Sequence, residues 1–308
     1  MSGESMGLWG IGVALLGGMI RASTPYLFVS LGETLTEKAG RINLGLEGTL
    51  MLGAVGAYGV SLHTGSPWLG VLAAGLCGVL SGALHAWLCS REHVSDIAVG
   101  IAMMLFGTGL AFYLGKPLIQ PQAPALPAVQ LAGSGVAPAL REALSINPLF
   151  LLGLVLAPCL AWLLRSTRLG LVLRVAGESV DAANALGYDV RRVRLWATSA
   201  GGFLSGVGGA SLSLFYPGVW NEGLSSGQGL IAVALVIFAR WNPVYCLYAS
   251  LLYGAAGSLG PALQAAGITV SHHLFAAAPA LLTLLIMILT CSPERRLAGA
   301  PRELSLNE

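Results

Sequence analysis

The stretch Gly40-Arg41-Ile42-Asn43-Leu44-Gly45-Leu46-Glu47-Gly48 decides how the chain is read. It lies between two long apolar segments and is too polar and too rich in glycine to continue either. Each of its three glycines weakens a helix by roughly 1 kcal/mol against alanine and lets backbone approach backbone. Asn43 and Glu47 are four apart, so a helix would put them on one face. The run Thr49 to Tyr58 that follows is apolar and studded with small residues. Unwound backbone at membrane depth is tolerated only inside protein or along a water-filled path. The stretch therefore predicts a broken helix with a membrane bundle arranged around it.

Composition agrees. Of 308 residues, 55% are hydrophobic, 10% are charged and 42 are glycine, whereas a soluble domain carries about 25% charged residues. Glycine at this level suits helices that approach closely in a bilayer. A formal charge of +2 and the lack of an aromatic-studded basic patch argue against nucleic acid. Cys77, Cys89, Cys159, Cys246 and Cys291 form no Cys-x-x-Cys pair and are read as packing residues. Met1 to Gly7 holds no Lys or Arg, so no cleavable signal peptide is expected.

A spanning helix needs about 20 apolar residues. Apolar segments lie at 8–31, 46–62, 67–89, 95–115, 148–164, 195–216, 228–240, 243–262 and 272–291, the seventh short for a full span. The expected fold is all-α: one polytopic transmembrane domain over 1–308, of about 8–10 spans, broken near 40–48. With Met1 outside and each segment crossing once, thirteen basic residues fall inside and only Lys116 and Arg141 outside. This split places the 166–194 loop and the C-terminus in the cytoplasm and the 116–147 loop outside. A re-entrant break would move Met1 to the inner side.

The outer loop holds Pro117, Pro121, Pro124, Pro127 and Pro138 and is expected to be extended, with one short helix near Ala139–Leu144. It reads as a tether or as a docking surface for an extracytoplasmic partner. Trp68, Trp87, Trp162, Trp196 and Trp241 stand near segment ends, as an aromatic belt would place them. His272-His273 is read as interfacial. Glycine-studded stretches at 45–59, 100–109 and 201–209 hint at an internal duplication.

In the inner loop, Gly177 to Tyr188 has the marks of one short helix. Glu178, Ser179 and Asp181 suit its start, and Gly187 suits a left-handed cap at its end. A helix this short is marginal alone. It either packs on the bundle or docks into a partner and passes force to the membrane part.

Together these features resemble a permease subunit of an ABC importer, in the group that takes up branched-chain amino acids, sugars and nucleosides. Asn43-Leu44-Gly45-Leu46-Glu47-Gly48 with its glycine-rich helix resembles the nucleoside and simple-sugar branch in particular. Gly177-Glu178-x-x-x-Ala182-Ala183-x-x-x-Gly187, a basic run and Gly201-Gly202-x-x-x-Gly206-x-Gly208-Gly209-Ala210 resemble the group's coupling segment. Gly227-Gln228-Gly229 and Arg240-Trp241-Asn242-Pro243 resemble a third shared stretch. His93-Val94-Ser95-Asp96 departs from the pattern, where relatives are more amide-rich, and Asp96 reads as interfacial rather than as a path residue.

The resemblance implies a bacterial inner-membrane, multi-pass protein. Its implied partners are an ABC ATP-binding subunit, a second homologous permease in a heterodimer, an extracytoplasmic solute-binding protein and the lipid bilayer. Asn43, Gly45, Glu47 and Gly48 would border the translocation path. Glu178, Asp181, Ala182, Ala183, Leu186 and Gly187 would couple to the ATPase. For Asn43 and Glu47, bonding to neighbouring backbone stands beside contact with a solute. Tyr58, Phe106 and Phe215 are candidates for stacking on a base.

No catalytic or metal site is expected. A phosphate-binding loop ends in Gly-Lys-Ser or Gly-Lys-Thr, but Lys38 follows Glu37 and Lys116 precedes Pro117. ATP and Mg would sit in the partner subunit, and no cofactor in this chain. The solute is expected to be a nucleoside or similar polar molecule, with sugar, amino acid or vitamin as alternatives. An ion-gradient-driven secondary transporter is the competing class. It needs intramembrane acids, for which Glu47 and Asp96 are the candidates. A membrane enzyme or scaffold has no residue constellation to support it.

Overall fold

The computed structural model describes residues 8–91, 93–130, 145–265 and 299–306, together with 281, 282, 285 and 288. Its helices are α1 (Leu8–Lys38), α2 (Leu46–Thr64), α3 (Pro67–Cys89), α4 (Asp96–Gly115), α5 (Pro148–Ser166), α6 (Arg168–Glu178), α7 (Val180–Ala185), α8 (Val190–Leu214), α9 (Gln228–Phe238), α10 (Pro243–Ala265) and α11 (Arg302–Leu306). The fold is an all-α helix bundle. Among the described residues, five helices are long and apolar enough to cross a membrane: Gly12–Lys38, Pro67–Cys89, Asp96–Leu118, Pro148–Ser166 and Pro243–Gln264. The segment expected at 272–291, with His272-His273 and Cys291, and the helix expected near Ala139–Leu144 lie outside the described residues.

Local chemistry sets the ends. Pro67, Pro148 and Pro243 open their helices, where a missing N–H is harmless. Asn147 Oδ1 accepts from Leu149 N at 2.9 Å, and Thr167 Oγ1 accepts from Gly170 N at 3.1 Å. The outer loop is extended as expected over its proline-rich part. Val129–Gln130 and Ser145–Ile146 close it as a two-residue antiparallel ladder. It is also pinned to the bundle: Tyr58 Oη donates to Pro121 O and Ser61 Oγ to Pro124 O, both at 2.8 Å. Arg21, inside the first apolar segment, donates to Ser145 Oγ at 2.8 Å.

The core is centred on α8, which packs on α1, α2 and α3. Glycine makes this possible. A Cβ on Gly202 would strike the Gly78 carbonyl, and a Cβ on Gly78 the Gly202 carbonyl. Gly206 meets Ala74 in the same way, Gly209 meets Leu50, and Gly32 meets Gly201. Such seams replace the hydrophobic effect, which is absent between helices in lipid, with close van der Waals contact. Gly45 and Gly48 likewise lie against Gly100, Met103 and Met104 of α4. The glycine-studded stretch 45–59 thus packs against both of the others, 100–109 and 201–209.

Three expectations are corrected. α1 does not end near residue 31 but runs to Lys38, carrying Glu33 and Glu37 into the buried interior. From Glu33 to Ala39 neither glycine nor proline intervenes. Trp241 is not a belt residue: it is buried, and its Nε1 donates to Glu37 Oε2. The short inner-loop helix is divided. Ser179 adopts an extended conformation and caps Val180–Ala185 by accepting from Ala182 N at 3.2 Å, so Glu178 ends the preceding helix instead of opening this one.

Candidate functional site: the break and the half-helix beside it

Residues 39–45 join α1 to α2 without regular helix. Side chains from α1, α3, α4 and α8 hold them. Glu33 Oε1 accepts from Asn43 N at 2.7 Å. Asp96 pairs with Arg41 at 2.5 Å and accepts from Ile42 N at 3.4 Å. His85 Nε2 lies 3.2 Å from Ile42 O, and Arg194 Nε donates to Ala39 O at 3.0 Å. Asn43 turns back on its own chain, its Oδ1 accepting from Gly45 N at 2.9 Å. The break is therefore a built structure, since polar backbone out of water must find partners.

Glu47 opens α2 and points at the start of α9. Its Oε1 accepts from Ser225 Oγ at 2.5 Å and from Gly227 N at 3.0 Å, and its Oε2 accepts from Gly229 N at 2.7 Å. The carboxylate thus occupies a helix N-terminus, where free N–H groups and the dipole favour an anion. Gly229 must be glycine here, because a Cβ would fall on the Glu47 backbone.

Depth follows from packing. Gly48, next to Glu47, abuts Met103 and Met104, and Gly107 abuts Gly48. These residues are the middle of α4. The start of α9 is therefore held near half-height in the bundle. α9 has 11 residues, about 16 Å at 1.5 Å each, half of a hydrocarbon core of about 30 Å. At its far end, Trp241 reaches Glu37 near the end of α1. α9 is a half-helix between mid-depth and the basic end of the molecule.

Of the sequence-selected path residues, Asn43, Gly45, Glu47 and Gly48 are all buried and lie together. Asn43 and Glu47 bond protein groups within this chain. Asp96 is buried against Arg41 and is not a loose interfacial acid. Of the aromatic candidates, Tyr58 is buried and bonded, Phe106 is exposed and Phe215 is half-buried. Sequence reasoning missed Glu33, Glu37 and His85. Glu33 and Glu37, one turn apart on α1, face each other in the interior, so Glu47 and Asp96 are not the only buried acids. The signal was available as Glu-x-x-x-Glu in a run, Glu33 to Ala39, without glycine or proline.

At the basic end, α6, α7 and the start of α8 form a small unit around Ala176, Ala183 and Val190. Gly187 ends it with φ +82°, the left-handed region glycine favours. Asp181, Ala182 and Leu186 face outward with Tyr188, whereas Ala183 points into the unit. The C-terminal α11 grips this unit: Glu303 Oε1 accepts from Val180 N at 3.2 Å, and Oε2 pairs with Arg194 at 3.3 Å. Lys38 Nζ donates to Gly299 O at 2.8 Å. A cleft of about 340 Å³, bordered by Arg41, Ser90, Asn184 and Arg191, separates α7 from the break. No cluster of three or more potential metal ligands occurs among the described residues.

Residues 15–291 match the family described as branched-chain amino acid transport system / permease component. The chain is 34% identical to a putative glucose ABC transporter permease protein, TsgC13, of Haloferax volcanii, over 80% of this chain and 76% of that one. It is 32% identical to the nucleoside ABC transporter permease protein NupC of Lactococcus lactis subsp. cremoris, over 80% of this chain and 81% of the other. It is 28% identical to the guanosine ABC transporter permease protein NupQ of Bacillus subtilis, over 77% and 78% respectively.

Proposed function

The chain belongs to the branched-chain amino acid transport system / permease component family, and from that premise we propose that it forms half of a translocation path for a nucleoside or a sugar. It is the membrane permease subunit of an ABC importer and a multi-pass membrane protein. The other half of the path is a second, homologous permease. An extracytoplasmic binding protein delivers the solute, and ATP with Mg is hydrolysed in a separate subunit.

The observation that carries this reading is the half-helix held at mid-depth by a buried carboxylate. Broken helices that meet at mid-membrane are how transporters build a site between two gates. Glu47 supports the reading as the group that fixes α9 in place, with Asn43 and Gly45 forming the turn that sets Glu47 at the right height. On the inner side, the outward face of Asp181, Ala182 and Leu186 is proposed to dock on the ATPase. Ala183 and Gly187 give that face its shape, and Glu178 flanks it.

The test is reconstitution. The chain, its companion permease, the ATPase subunit and the binding protein in liposomes should take up solute only with ATP inside. The chain alone should bind no ATP. Concentrative uptake by this chain alone, driven by a proton or sodium gradient, would overturn the reading.

A further inference from the structure

The segment from Phe215 to Gly227 links the end of α8 to the start of α9. Its upper part lies at the outer end of α4: a Cβ on Gly115, the last residue of that helix, would strike the Trp220 indole. Its lower part lies at mid-depth, where Ser225 and Gly227 bond Glu47. Between these levels its residues are sorted by polarity. Trp220, Leu224 and Ser225 are buried, and Asn221, Glu222, Gly223 and Ser226 are exposed, with Tyr216 and Val219 exposed above them.

This is the reverse of what lipid requires. A charged side chain in the membrane costs at least ~2.5 kcal/mol by insertion scales, and irregular backbone is not left facing hydrocarbon. Glu222 makes no hydrogen bond or ion pair among the described residues. Trp220 Nε1 and Gln228 Oε1, at the two ends of this polar run, are buried and have no partner among them either. Glu47 is different: its carboxylate already takes three donors of this chain.

Resting on the permease reading, we propose that Asn221, Glu222 and Ser226 form the solute-contacting wall of the path. The chemistry selects a class of solute. Asn221 offers a donor and an acceptor, Glu222 two acceptor oxygens, and Ser226 a hydroxyl oxygen that can accept while its proton goes to Gly223 O at 2.8 Å. Residues 215–227 contain no Lys, Arg or His. Such a wall suits a neutral, polyhydroxylated ring and repels phosphate. Both a ribonucleoside and a hexose present that hydroxyl pattern, and their phosphorylated forms do not pass.

The complete importer in liposomes provides the test, with the binding protein supplied outside and either radiolabelled guanosine or radiolabelled glucose as solute. One of the two is carried by the wild type, which identifies the source of the hydroxyls; guanosine monophosphate serves as the charged control. Glu222→Gln should lower uptake of that solute about tenfold while ATP hydrolysis stimulated by the binding protein stays within twofold. Asn221→Ala should lower it less. Ser226→Cys should react, above the wild-type background, with a charged, membrane-impermeant thiol reagent added from the binding-protein side, and solute-loaded binding protein should slow the reaction.

Unchanged uptake in Glu222→Gln overturns the proposal. So does a Ser226→Cys thiol that reacts only with a lipid-soluble maleimide, or one that cross-links to the companion permease. In each of these cases wild-type ATP-driven uptake persists and the permease reading stands. Loss of ATP dependence in the wild type would instead remove the reading itself.

Discussion

Two stretches of this molecule abandon helix at membrane depth, and they are built in opposite ways. Residues 39–45 are sealed. Glu33, His85, Asp96 and Arg194 reach in from four helices and bond the backbone or its side chains. Residues 215–227 are sealed on one side only, with Trp220, Leu224 and Ser225 turned inward and Asn221, Glu222 and Ser226 left uncovered. In the first stretch polarity serves architecture. In the second, part of it is left over, and on that remainder the proposed solute wall is built.

Substitutions can break this comparison, and the largest effect is expected at Glu47. Glu47→Ala strands Ser225 Oγ, the buried Gly229 N–H and the half-buried Gly227 N–H, at 1–3 kcal/mol for each buried unsatisfied group, so a destabilisation of at least ~2 kcal/mol is expected. Thermal unfolding in detergent should show it as a large drop in midpoint or a failure to purify. Glu47→Gln, which keeps an acceptor, should lose about half as much. If Glu47→Ala purified with a wild-type midpoint, the sealed character of this region would be lost.

Next comes Trp241→Phe. It removes the indole N–H from Glu37 and leaves that carboxyl buried without its donor. A cost of about 1–3 kcal/mol is expected for a buried acceptor that loses its donor, again read as a melting midpoint. Glu303→Gln follows, at about 1 kcal/mol, because the Arg194 pair is partly accessible to solvent. Here the sharper readout is ATPase coupling: hydrolysis by the complex should persist while solute uptake per ATP falls. At the small end, Glu222→Gln should move the midpoint by no more than about 0.5 kcal/mol, as exposed substitutions do. A large destabilisation there would mean that the open stretch is as structural as the sealed one.

The break was legible because local signals dominate it: three glycines, an amide and two charges between apolar runs. The partners of Glu47 were not legible, because Ser225, Gly227 and Gly229 lie 178 to 182 residues away and no local pattern specifies such a pairing. Glu33 and Glu37 escaped notice because a hydropathy window ends a segment where charge begins, although the helix continues. Trp241 was misread for a related reason. Tryptophan near a segment end usually sits in the belt, but Arg240 and Trp241 have φ of +50° and +54°, and that turn sends the indole inward. The division at Ser179 was present in the sequence as a capping serine before Val180-Asp181. The neighbouring glycine and glutamate drew the helix start two residues too early.

α8 connects the two ends of the molecule that matter for transport. It begins one residue after Asp189, beside the unit proposed to dock on the ATPase, and ends at Leu214, where the uncovered stretch starts. Its 25 residues make a rod about 37 Å long at 1.5 Å per residue. Where it runs past α3, Gly202 meets Gly78, Gly206 meets Ala74 and the Phe203 ring lies over Gly75, so the two helices are seated at backbone distance. Two rods seated this tightly leave no slack between them, so on the permease reading a displacement received at the foot of α8 would be carried along its length to the proposed cargo wall.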